Sequence, residues 1–97
     1  MATTTPDLDS VRSIVRRHLP SADYQVFVFG SRARGNPAAN SDWDIGILGP
    51  AELPGYTLQR IHADLEELPT LHRFDVVDMK SVSDSFRRQA MHDVLPL

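Results

Sequence analysis

The amino-acid sequence predicts an α/β fold in which helices alternate with short buried strands. Three observations carry this. Apolar residues recur at helical spacing in two stretches, Leu8 to Leu19 and Leu58 to Leu68. Three runs have strand character: Tyr24 to Phe29, Asp42 to Leu48 and Arg73 to Met79. Proline or glycine separates most of these stretches, as breaks between elements require.

Taken in order, Thr5-Pro6-Asp7 reads as a helix start. Thr5 is suited to cap it, and Pro6 to the first helical position, where a missing N–H costs nothing. Leu8, Val11, Ile14, Val15 and Leu19 make the apolar stripe, and Pro20 stops it. Arg12, Arg16 and Arg17 lie mostly off the stripe and read as a solvated face. The strand from Tyr24 is apolar without interruption from Val26, which implies burial on both faces. Gly30 to Arg34 should form a tight turn opening a short helix, and residues 35–40 a loop. In the strand Asp42 to Leu48, side chains alternate. Asp42, Asp44 and Gly46 therefore share one face, and Trp43, Ile45 and Ile47 the other. A helix over Tyr56 to Leu68 follows, ended by Pro69. In the third strand Asp75 and Val77 face one way, and Phe74, Val76 and Asp78 the other. Ser83 can cap a last helix carrying Phe86, Ala90, Met91 and Val94.

The totals are those of one ordinary globular domain, residues 1–97, with 41% hydrophobic and 24% charged residues. A net charge of −3 offers no general attraction for nucleic acid. Lys80 is the sole lysine, so contacts to phosphate would fall to arginine forks and backbone amides. The absence of cysteine excludes disulfides, a thiolate nucleophile and zinc-finger spacing. No leader-like or membrane-spanning run is present, so the cytoplasm is the expected location. His18, His62, His72 and His92 share no metal-ligand spacing.

The chemistry concentrates between Val26 and Leu48. Two carboxylates on one strand face repel each other unless a cation lies between them, and oxygen ligation with open positions suits magnesium. A third carboxylate nearby would allow two ions that clamp the attacking and leaving oxygens of a phosphoryl displacement. Asp75 is the natural third ligand and could also take the proton of an attacking hydroxyl. Pattern alone does not choose between Asp75 and Asp78. Gly30 lets the backbone approach a phosphate, Ser31 adds a hydroxyl donor, and Arg34 and Arg32 are candidates to hold the terminal phosphates. The P-loop pattern is absent, and no lysine lies near the glycine.

Gly30-Ser31, ten intervening residues, Asp42-Trp43-Asp44 and then Asp75 in an apolar strand resemble the minimal nucleotidyltransferases of the DNA polymerase β-like superfamily. FGSRARG, SDWDIGI and FDVVDM each stand close to that family's wording. The resemblance implies a small mixed β-sheet flanked by helices, with a palm-like nucleotidyltransferase fold. It implies magnesium, as two ions, on Asp42, Asp44 and Asp75. It also implies a nucleoside triphosphate, ATP, gripped at Gly30 and Ser31 with Arg34. Register with the family favours Asp75 over Asp78, which is left as a strand-end acid. Trp43 departs from the aliphatic residue usual between the acids and should pack into the core.

Stand-alone members of this size commonly accompany a small all-helical HEPN ribonuclease toxin and act as its antitoxin. The resemblance therefore implies transfer of AMP from ATP to a tyrosine hydroxyl of such a partner. Small-molecule transfer is disfavoured because drug-modifying relatives carry additional structure for their acceptor. A second reading is a binding module that neutralises its partner by occlusion. A third, polynucleotide extension, is disfavoured by the acidic charge.

Overall fold

In a computed structural model, which describes residues 6–35 and 42–97, the strands assemble around the segment with the longest apolar run. That segment is β1, Gln25–Phe29, and its residues from Val26 to Phe29 are all buried. β2, Trp43–Leu48, runs antiparallel to it, with Phe29 opposite Asp44 and Phe27 opposite Gly46. β3, Phe74–Asp78, runs parallel to β2 on its other side, with Asp44 opposite Asp75. β4, Leu95–Pro96, pairs antiparallel with β1. Among the described residues the sheet thus has the order β3-β2-β1-β4 and is mixed, as the resemblance implied.

The helices are α1, Leu8–Arg17; α2, Ser31–Arg34; α3, Gly55–Glu66; and α4, Asp84–Ala90. α1 and α3 supply Val11, Ile14, Val15, Ile61 and Leu65 to the main core, which meets Trp43, Ile45 and Ile47 on one face of β2. Fully buried side chains such as Ile45, Ile47, Ile61 and Leu65 each contribute about 1.5–3 kcal/mol by leaving water. The opposite face also carries a core. Phe27, Phe29 and Met79 are buried there, with Ala90 and Met91 packed against them. The face bearing the acids is therefore apolar at one end. Gly46 permits this, since a Cβ there would overlap the Phe27 ring.

Several local expectations change. The cap of α1 is Asp7, whose carboxylate accepts from the N–H groups of Asp9 (3.2 Å) and Ser10 (3.4 Å). Pro6 precedes that cap, so the helix starts two residues later than the Thr5-Pro6 pattern predicts; Thr5 lies outside the described residues. Arg16 is no solvated bystander, because its Nη1 donates to the Tyr24 carbonyl at 2.6 Å and ties α1 to the start of β1. Ser83 caps α4 as expected, accepting from Phe86 N–H at 3.1 Å. The loop predicted over residues 35–40 falls, from residue 36 on, outside the described residues.

Candidate active site

The site grows out of the end of β1. Gly30 follows Phe29 with φ +77° and ψ −155°, a combination that essentially only glycine adopts. The chain reverses there, and the Gly30 carbonyl accepts from Ala33 and Arg34 N–H, both at 3.1 Å, to open α2. The missing side chain matters as much as the turn. A Cβ on Gly30 would overlap Asp44 Oδ2. The backbone of the turn therefore rests directly against the β2 carboxylate.

Asp44 sits in the middle of a row across three strands, Phe29–Asp44–Asp75, one residue from each. Neighbouring strands lie about 4.8 Å apart, so Asp44 and Asp75 project side by side from the same face. Asp42, exposed and just ahead of β2, adds to the same field. The Asp44 carboxyl is held above the usual carboxylate range, first by burial, then by repulsion from Asp75 and from Asp42. Arg34 acts in the opposite direction on it. Among the described residues no trio of acidic or histidine side chains is drawn in tightly enough to enclose a cation as it stands. The donor set nevertheless suits magnesium. All donors are carboxylate oxygens, and their mutual repulsion is what a divalent ion relieves.

Asp78 does different work. It is 2% exposed, on the other side of β3 from Asp75, and its carboxylate accepts from Leu53 N–H (2.7 Å) and Lys80 N–H (3.0 Å). These bonds satisfy a buried acid and fasten the β2–α3 connection, consistent with a strand-end role.

Residues 22–95 match the sequence model of a family described as polymerase beta, nucleotidyltransferase. The chain belongs to that family. A Haemophilus influenzae protein described as probable protein adenylyltransferase MntA is 31% identical over 81 residues, which span 84% of this chain and 69% of that protein. Two solved structures share the fold. One is a toxin–antitoxin complex with AMP-PNP, with TM-score 0.76 and 22% identity, covering 93% of this chain and 71% of the matched one. The other is a tri-AMPylated Shewanella oneidensis HEPN toxin with its MNT antitoxin, with TM-score 0.62 and 19% identity, covering 91% of this chain and 66% of the matched one.

In this nucleotidyltransferase the arginines of α2 part company. Arg34 stands on the acid side and lines a cavity of about 260 Å³ with Phe29, Gly30, Phe86, Gln89 and Ala90. Arg32 instead lies over the Trp43 ring, 4.8 Å from its centroid, on the core side of β2. Trp43 is buried, as expected of it, and its indole N–H donates to His72 Nδ1 at 3.2 Å. An aromatic residue between the acids thus gives Arg32 a surface that an aliphatic one lacks. Ser31 is partly exposed at the first position of α2.

The other histidines also hold structural partners. His18 Nε2 meets Asp64 Oδ2 at 2.6 Å, and His62 Nε2 meets the Phe74 carbonyl at 3.1 Å on the outer edge of β3. The contribution of α4 to the site was not legible in the sequence, where Phe86 and Ala90 read as one core stripe. One signal was available: Asp84 and Arg87 stand three apart on a helix and pair in the structure. Arg87 also donates to the Met79 carbonyl at 3.0 Å, which fixes α4 against the end of β3.

Proposed function

We propose that this nucleotidyltransferase transfers AMP from ATP to a tyrosine hydroxyl of a small, all-helical HEPN-type toxin in the cytoplasm, and so acts as its antitoxin. The observation that carries the proposal is the row Phe29–Asp44–Asp75 with the Gly30 turn packed against its central carboxylate. It brings a backbone fit for a phosphate chain against a set of acids fit for its metal. The family match supports nucleotidyl transfer, and the description of the Haemophilus influenzae relative supports a protein as acceptor. The fold shared with a HEPN toxin–MNT antitoxin complex supports the partner class.

Asp42, Asp44 and Asp75 would hold magnesium, since their all-oxygen donors favour a hard ion over a softer one. Bound there, magnesium supplies charge neutralisation at the phosphate oxygens. Asp75, outermost in the row, takes the proton from the acceptor hydroxyl as the new oxygen–phosphorus bond forms. The bond between the α- and β-phosphates breaks, and pyrophosphate leaves with the electron pair. Gly30 admits the phosphate chain close to the backbone, Ser31 donates its hydroxyl, and Arg34 balances the terminal charge. Arg32 serves indirectly by clamping α2 to Trp43.

Incubation with α-labelled ATP, magnesium and the candidate toxin should label the toxin. Replacing Asp42→Asn together with Asp44→Asn should abolish the label. An unlabelled partner, or label that survives the double replacement, refutes the proposal. The loose spacing of the three acids favours one competing reading, occlusion without chemistry. It prevails if the double variant still neutralises the toxin in cells at equal stoichiometry.

A further inference from the structure

The cavity beside the Gly30 turn has a wall that the transfer chemistry leaves unused. α4 turns Phe86 toward it, 44% exposed although it is a large apolar side chain on a packed helix. The Phe86 ring stands edge-on to Phe29, with centroids 6.3 Å apart and planes at 83°, which fixes its orientation. Gln89, three residues later and so on the same side of α4, lines the same cavity with an exposed amide. Ala90 keeps the floor shallow, and Arg34 and Gly30 close the side nearest the acids.

We infer that this cavity receives the base of the donor nucleotide, with Phe86 as its stacking face and Gln89 as the group that reads its edge. The inference rests on the nucleotidyl-transfer reading and adds where the nucleoside lies. Three features select this occupant. The cavity is continuous with the Gly30 turn, so a base held there leaves its phosphates over Asp44. Its volume of about 260 Å³ suits a base with part of its sugar, whereas whole-ligand pockets run to roughly 300–1,000 Å³. An aromatic face accepts any base, while a carboxamide offers one donor and one acceptor to its edge, as in amide pairing with adenine.

An acceptor tyrosine ring fits this cavity less well. Asp75 stands two strands away from β1, at about 10 Å by strand spacing, so the acceptor hydroxyl belongs on the far side of the row. A groove at the β3 edge, lined by Leu58, Gln59, His62, Asp75 and Val76, has no phenylalanine, tyrosine or tryptophan ring and no arginine.

Calorimetric titration in magnesium buffer, with ATP, GTP and inorganic tripolyphosphate as probes, tests the inference. Phe86→Ala should weaken ATP about tenfold, the worth of one lost stacking contact, and leave tripolyphosphate unchanged. Phe86→Trp should restore ATP binding. Gln89→Ala, at an exposed position that tolerates truncation, should weaken ATP about fivefold and narrow the difference between ATP and GTP. ATP binding unchanged in both alanine variants overturns the inference alone. So does an equal loss of ATP and tripolyphosphate in Phe86→Ala. A wild-type chain that binds neither probe overturns the nucleotide reading, and the inference with it.

Discussion

At the scale of single residues, Asp44 concentrates the electrostatics of the site. Its folded pKa lies above the unfolded one, chiefly through burial and then through Asp75 and Asp42. The native state therefore holds its proton more tightly than the unfolded chain. Stability must fall as pH rises from the ordinary carboxylate range through the raised value, and level off above it. Asp44→Asn removes that cost. Without metal at neutral pH the variant should melt above the wild type, and the gap should close on acidification; thermal scans across pH check this. Added magnesium should raise the wild-type midpoint and not that of the variant. Gly30 makes the opposite case. Gly30→Ala forces a Cβ into Asp44 at a backbone conformation closed to alanine, so denaturant titration should show a loss of about 1–3 kcal/mol. Transfer should vanish with it, because both the turn and the carboxylate must move.

At the scale of elements, the strands were legible and their edges less so. An unbroken apolar run over Val26 to Phe29, rich in β-branched and aromatic residues and closed by Gly30, implies a strand buried on both faces, and it is one. The two residues of β4 carry no such pattern; they are a strand only because β1 has a free edge for Leu95 and Pro96 to meet. Asp75 and Asp78 look alike in sequence, since both are acids in an apolar run. Pairing with β2 sets Asp75 beside Asp44, and the return of the chain at Leu53 gives Asp78 a partner. Asp78→Ala should therefore destabilise the fold by about 2–3 kcal/mol, because two N–H groups lose a buried acceptor. Chemical denaturation measures this, and variant that remains folded should keep binding tripolyphosphate.

At the scale of the whole molecule, two cores back a single sheet. The larger lies under α1 and α3, and the smaller, around Phe27, Phe29 and Met79, is closed by α4 and the chain that follows it. Leu97 N–H donates to the Val26 carbonyl at 2.9 Å, so the last residues cover an edge of β1 as well as its face. Removing Val94 to Leu97 should lower the melting temperature and promote self-association through the bared edge, which light scattering would register. No described helix is long and apolar enough to cross a membrane.

The sequence by itself determined the family, the alternation of helices and strands, and the run of Gly30, Ser31, Asp42 and Asp44. These depend on residue types at short spacing, and local sterics and side-chain alternation translate such spacing directly into geometry. Only the tertiary structure decided that Asp75, which register with the family already favoured over Asp78, stands directly opposite Asp44, that Arg32 leaves for Trp43 while Arg34 stays, and that Phe86 faces the Gly30 turn. Each of those depends on which distant segments pair or pack, and strand register and helix docking are settled by contacts between residues far apart in the chain.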